Sequence, residues 1–283
     1  MQTGTLYICA TPIGNLEDIT YRVVRTLGEV DLIAAEDTRG SLKLLNHFDI
    51  HTPMTSYHEY NKYDKAVYLV RELLAGKSIA LITDAGTPGI SDPGEELVRQ
   101  AVEAGVTVTS LPGAAACITA LTISALPTRR FAFEAFLPAE KADKKERRRI
   151  LGELAEETRT IILYEAPHHL KKTLADLYEA LGDRKISLCR ELTKVHEEAF
   201  RTTIREAIGW YETHEPRGEY VLVIAGRDLE AKEEEARKAW QEMSVAEHLQ
   251  KYLDEGLDEK AAMKAVAEDR GVPKREIYRE LKT

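Results

Sequence analysis

Cysteine is scarce in this chain of 283 residues, and its three copies, Cys9, Cys117 and Cys189, lie far apart without zinc or redox spacing. Each sits in an apolar context, so buried free thiols in a reducing cytoplasm are expected. No apolar run reaches membrane-spanning length, and the first residues lack the basic and apolar segments of a secretory leader. No membrane association is therefore expected. Positive charge is also in deficit: 39 Lys and Arg stand against 48 Asp and Glu, a formal net charge of -9. Bulk charge gives no reason to expect nucleic acid, so such a partner would need a local basic patch. Missing too are the Lys of a phosphate-gripping glycine loop, a nucleophilic-serine elbow and a reactive-cysteine context. His168 and His169 have no third ligand at metal spacing, so no metal is expected.

What the chain does contain is one stretch dense in special residues, Thr83-Asp84-Ala85-Gly86-Thr87-Pro88-Gly89-Ile90-Ser91-Asp92-Pro93-Gly94. It follows the apolar run Ile79-Ala80-Leu81-Ile82, which reads as a buried strand. A helix follows, with Asp92 as expected N-cap, Pro93 at its first helical position, and Glu95 and Glu96 where the helix dipole favours acid. In open α/β sheets, ligands bind at such carboxyl ends of strands. Acidic residues crowd this turn, so a cationic or neutral small molecule suits it better than an anion. The plainer reading is a well-capped loop.

Strands alternate with helices from Thr5 to about residue 120, which predicts a parallel α/β domain over residues 1–120. Thr20 is expected to cap the first helix, which Gly28 should stop, and Ser41 the second. Four strand ends carry unusual loops, 11–15, 36–39, 83–91 and 111–116. Carboxyl ends of parallel strands share one edge, so these loops should converge. Beyond Pro127 the pattern predicts a second α/β domain over 121–228 with a mixed sheet. Residues 229–283 read as a charged linker and three short helices, with a Ser244/Glu247 capping box and a Gly271-Val272-Pro273 break. This tail suits a helix-turn-helix unit and equally a bundle used only for packing or dimerisation.

Eight basic residues fall between Arg129 and Arg149 against four acidic ones, with Arg147, Arg148 and Arg149 consecutive. Such a cluster can grip phosphates or simply solvate a helix face. Glu36, Asp37 and Arg39 are either part of a site or an ion pair ordering a loop. Tyr57, His58 and Glu59 offer a stacking ring and a titratable pair, although a lone His is more often structural.

The runs Ala10-Thr11-Pro12-Ile13-Gly14-Asn15-Leu16, Ala35-Glu36-Asp37-Thr38-Arg39, Ser56-Tyr57-His58-Glu59, the long central stretch and Leu111-Pro112-Gly113-Ala114 carry a resemblance, as do Tyr164-Glu165-Ala166-Pro167-His168-His169 and Arg190-Glu191-Leu192-Thr193-Lys194. With these runs the chain resembles the ribosomal RNA small subunit methyltransferase I family of the tetrapyrrole methylase superfamily. Two departures from the wider pattern stand out. Thr11 and Pro12 occupy a loop that is richer in glycine elsewhere in the superfamily, and Tyr60 stands where a second histidine is expected.

The resemblance implies two α/β domains of the tetrapyrrole methylase (class III SAM methyltransferase) fold, plus the small helical appendage. It implies an S-adenosylmethionine (SAM) site lined by Pro12, Ile13, Asp84, Gly86, Thr87, Ala115, Ala116, Tyr164 and Glu165. It implies a homodimer that 2′-O-methylates a cytidine ribose in the decoding region of 16S ribosomal RNA, free or in the 30S subunit. Glu36, Asp37, His58 and Glu59 are then the candidate catalytic residues. Arg39, Tyr57, Arg147, Arg148 and Arg149 are the candidates for holding RNA. The alternative is a methyltransferase of a small tetrapyrrole-like metabolite, which would not need the basic cluster or the tail.

Overall fold

The computed structural model describes residues 3–138, 143–229, 240 and 243–281. Residues 5–123 form one layered half. Strands β1 (Thr5–Cys9), β2 (Leu32–Ala35), β3 (Met54–Ser56), β4 (Ile79–Ile82) and β5 (Thr107–Leu111) alternate with α1 (Tyr21–Glu29), α2 (Thr38–His47), α3 (Lys62–Leu74) and α4 (Gly94–Glu103). Helix α5 (Ala116–Ile123) follows β5. All five strands run parallel in the order β3-β2-β4-β1-β5. Successive residues of a strand face opposite sides of its sheet. Leu6 and Ile8 accordingly pack with Leu69, Leu73, Leu97 and Ala101 of α3 and α4. Cys9 faces the other way, with Val23, Leu27 and Leu45 of α1 and α2. Both faces are covered, as a parallel sheet requires.

The second sheet is mixed, in the order β6-β7-β10-β8-β9. Its strands are β6 (Phe131–Phe136), β7 (Thr160–Glu165), β8 (Lys185–Arg190), β9 (Glu198–Thr203) and β10 (Tyr220–Ile224), with helices α6 (Lys144–Glu156), α7 (Pro167–Leu181) and α8 (Ile204–Thr213) between them. Only β6 and β7 pair in parallel. The central strand β10 is buried throughout. Leu222 and Ile224 pack with Leu170, Leu174 and Leu177 of α7. Val221 and Val223 pack with Cys117, Ala120 and Leu121 of α5, so the last helix of the first half covers the second sheet. The α/β class, the parallel first sheet and the mixed second sheet stand as expected.

Contacts divide the chain into two compact units, one of residues 1–155 and 159–225, the other of 156–158 and 226–283. The second carries α9 (Val245–Asp254), α10 (Glu259–Arg270) and α11 (Lys274–Glu280). Val245, Leu249, Met263, Val266 and Ile277 form its core. The Ser244/Glu247 capping box, the Asp258 cap and left-handed Gly271 (φ 65°) all form. Most of the charged linker, 230–239, lies outside the described residues, as do Glu140 and Lys141.

Three helix-end assignments need correction. Helix α2 starts three residues before Ser41, because Asp37 accepts a hydrogen bond from the Arg39 amide and caps it; Ser41 is buried inside the helix. Helix α1 runs through Gly28 to Glu29. Pro93, expected as the first helical residue, is the N-cap of α4, which begins at Gly94, so Asp92 sits one residue further back than expected. Its carboxylate instead gathers the amides of Gly89, Ile90 and Gly94 at 2.8–3.2 Å, folding the loop on itself.

Candidate active site

Strands β1 and β4 are neighbours, and the chain turns in opposite directions from them, from β1 toward β2 and from β4 toward β5, so their loops meet at the switch point of the sheet. The two loops are tied there by a backbone bridge. The Thr11 amide donates to the Gly86 carbonyl at 2.9 Å and the Gly86 amide to the Thr11 carbonyl at 3.0 Å. The Thr11 hydroxyl also donates to the Thr83 carbonyl at 3.1 Å. Gly86 holds a φ of +85°, which L side chains rarely adopt, and a Cβ there would press on Ile13 at 3.3 Å. The loop after β5 joins them, because the Thr87 hydroxyl donates to the Ala114 carbonyl at 2.9 Å. A Cβ on Gly113 would lie 2.5 Å from that of Ala10, so only glycine lets this loop close in.

The result is a cavity of about 420 Å³ whose walls come from both sheets. The first half supplies Ile13, Glu36, Thr83, Asp84, Gly86, Thr87, Ala115 and Ala116, and the second Phe136, Tyr164, Glu165, Glu191, Leu192, Lys194 and Glu219. The expected convergence of strand-end loops is real. A bulge in β6 between Phe133 and Ala135 swings Phe136 to this wall, against the Tyr164 ring at 5.5 Å. Burial pushes the Tyr164 hydroxyl well above its ordinary pKa, so it stays protonated.

Among the described residues six carboxylates line the cavity, and their partners differ. Thr83 donates its hydroxyl to one oxygen of Glu36 at 2.7 Å. Asp84, exposed within the cleft, accepts the Asp37 amide at 3.1 Å. Glu165 is buried and accepts the Ala166 amide at 2.8 Å and the Thr173 hydroxyl. Thr173 in turn accepts from Arg147 at 2.9 Å, and Arg147 pairs with Asp176 at 2.9 Å.

That network removes Arg147 from the set of RNA-holding side chains. It is 7 % exposed and faces inward, while Arg148 and Arg149 remain outside, Arg149 paired with Glu146 and Glu153. Tyr57 is no stacking platform either. It is 1 % exposed and donates its hydroxyl to the Pro93 carbonyl at 2.9 Å. Of the four candidate catalytic residues only Glu36 lines the cavity. Asp37 is the α2 cap, and the Arg39 amide bound to it holds its carboxyl below the usual range. Glu59 pairs with Lys62 at 2.6 Å. His58 meets Asn61 at 3.3 Å through Nε2, and its buried Nδ1 has no protein partner. Arg39 stands in solvent beside Asp37, and Pro12 does not line the cavity. Thr83, Glu191, Lys194 and Glu219 were given no role from sequence. Glu191 and Lys194 belong to a run that carried the resemblance, and that was the available signal.

The residues present fit SAM. The glycine cradle admits a close-lying ligand, Ile13, Ala115 and Ala116 offer apolar wall, and the carboxylates suit a sulfonium and an ammonium. Among the described residues no group of three His, Cys, Asp or Glu is placed to hold a metal ion.

Comparison with known proteins agrees. Residues 5–208 match the family model of tetrapyrrole (corrin/porphyrin) methylases. The chain is 50% identical over 275 residues to ribosomal RNA small subunit methyltransferase I of Halalkalibacterium halodurans, covering 97% of this chain and 93% of that one. It is 47% identical to the protein of the same name from Bacillus subtilis, with the same coverage. Among solved structures, uroporphyrin-III-C-methyltransferase from Thermus thermophilus superposes with a TM-score of 0.54, at 18% identity, over 78% of this chain and 94% of that chain. At that identity the likeness speaks for the fold. The chain belongs to the tetrapyrrole (corrin/porphyrin) methylase family and, within it, to the ribosomal RNA small subunit methyltransferase I family.

Proposed function

We propose that this protein is a SAM-dependent methyltransferase of small-subunit (16S) ribosomal RNA, and that it methylates the ribose 2′-hydroxyl of a cytidine in the decoding region. The observation that carries the reading is the acid-lined cavity at the switch point, in a chain with two relatives of one name at 47% and 50% identity. A tetrapyrrole-like substrate has less support, since the neighbour that suggests it shares only the fold.

Bound SAM supplies a methyl group on a sulfonium, ready for in-line displacement by an oxygen. The protein's part is to position the reactants and to take a proton. Ile13, Ala115 and Ala116 would hold apolar surface, with Asp84 and Glu165 facing positive charge. Thr87, tied to Ala114, fixes the spacing between two of the binding loops. Glu36 is the residue we assign to the ribose hydroxyl. It lies in the cavity, and Thr83 fixes one of its oxygens. Asp37 is disfavoured as a base because its depressed pKa weakens it. The reading includes a cytoplasmic homodimer acting on free RNA or the assembled 30S subunit, with the exposed Arg39, Arg148 and Arg149 holding the RNA backbone.

The test uses purified protein, methyl-labelled SAM and small subunits from a strain lacking the enzyme. Alkali-resistant label in the RNA is expected, because a 2′-O-methyl group blocks cleavage of the adjacent phosphodiester. SAM binding without label in RNA would overturn the reading.

A further inference from the structure

We infer that Lys194 grips the phosphodiester adjoining the methylated ribose and so admits an anion to an acid-lined cleft. The inference rests on the proposed function. The 2′-hydroxyl of an internal nucleotide is vicinal to the 3′-oxygen, which carries a phosphodiester. Delivering that hydroxyl to the cavity therefore brings a negative charge with it. Among the described residues, the cavity is lined by six carboxylates and a single basic side chain, Lys194. Without a cation at the mouth, like charges would oppose entry.

The fold goes to some length to hold this lysine there. Its stem lies on Gly14, where a Cβ would come within 2.5 Å of Lys194 Cγ. Its ammonium is 3.0 Å from Glu191 Oε1, which leaves two of its three donors for another partner. Glu191 is seated against Gly218, where a Cβ would lie 2.5 Å from the same oxygen. Both Glu191 (φ 51°) and Thr193 (φ 66°) adopt left-handed backbone, a cost that persists where a surrounding structure imposes it, often at functional sites. The side chain is 39% exposed, so it is held by the wall yet open to a group that arrives from outside. Arg39, in the first turn of α2, is 93% exposed and does not line the cavity.

The test compares full-length wild type, Lys194→Met and Lys194→Arg. Small-subunit binding is measured without SAM over a series of salt concentrations, and SAM affinity separately by calorimetry. Lys194→Met should weaken subunit binding about tenfold and reduce the slope of log K against log salt by about 0.7, the loss of one phosphate contact on single-stranded RNA. Lys194→Arg should keep both, and SAM affinity should not fall in either variant, since removing a cation from an acid-lined cavity does not oppose a cationic donor. An unchanged slope and affinity would reduce Lys194 to a partner of Glu191 and overturn the assignment. Weaker SAM binding with subunit binding intact would overturn it in favour of the donor's own carboxylate. A wild type that neither binds nor methylates subunits would overturn the proposed function, and this inference with it.

Discussion

Arg147 shows what a run of like residues conceals. Consecutive helical residues point about 100° apart, so three arginines in a row cannot all share one face. Which of them turns inward depends on Asp176 and Thr173, far along the chain, and no local pattern reveals that. The inward choice has a consequence at the cavity. Arg147 donates to the Thr173 hydroxyl, which has one proton and gives it to Glu165. Thr173→Val would leave a buried carboxylate and a buried guanidinium each one partner short. We expect it to lower stability by about 1–3 kcal/mol, read by urea denaturation. SAM affinity should fall as well, because Glu165 would lose one of the two bonds that aim it. Unchanged SAM binding would show that the Ala166 amide alone fixes the carboxylate. Tyr57 was misread for a related reason: its motif neighbours are polar, but its ring enters the core beside Leu69 and Leu97.

At the scale of elements, the central strands were legible because they are continuous apolar runs, and β4 (Ile79–Ile82) falls where the sequence places it. Two of the four edge strands, β3 (Met54–Ser56) and β9 (Glu198–Thr203), were not. Each has one neighbour and little buried surface, so neither carries a marked hydrophobic pattern. The tail helices were legible through their caps, yet the group that couples them, His248, carried no signal. It is fully buried, stacked on Trp240 at 4.0 Å and close to Tyr252. Its Nε2 lies 3.2 Å from Asp269, and Arg270 donates to its Nδ1 at 3.2 Å, an arrangement that requires a neutral ring. Burial lowers its pKa below 6.5; Asp269 opposes the shift, and Arg270 and Lys251 add to it. The unfolded chain therefore takes up this proton first as pH falls. Stability of α9–α11 should be complete above about pH 6.5 and should decline as pH drops through that value. Hydrogen exchange of the tail amides in the full chain, at pH 7.5 and 5.5 with rates corrected for intrinsic pH dependence, should show lost protection at the lower pH. His248→Gln should flatten the difference; equal protection of the wild type at both values would contradict the assignment.

At the scale of the molecule, the sequence alone supported half of the cavity. Parallel strands bring their carboxyl ends to one edge, which made the loops after β1, β4 and β5 predictable partners. The opposite wall depends on how a second sheet meets the first, and that follows from α5 packing on β10, a contact between residues about a hundred positions apart. Phe136, Glu191, Lys194 and Glu219 therefore could not be assigned to the site before the fold was known. Every described residue lining the cavity lies between Ile13 and Val221, inside the first compact unit. A chain ending at Asp228 keeps all of them, and keeps the Arg227 amide bonded to the Glu157 carbonyl at 2.7 Å. Its SAM affinity should stay within about twofold of the full chain, well under the 1.4 kcal/mol that a tenfold change represents. Calorimetry on both proteins decides the matter. A tenfold loss would mean that the tail helps to shape the donor site, although none of its described residues lines the cavity.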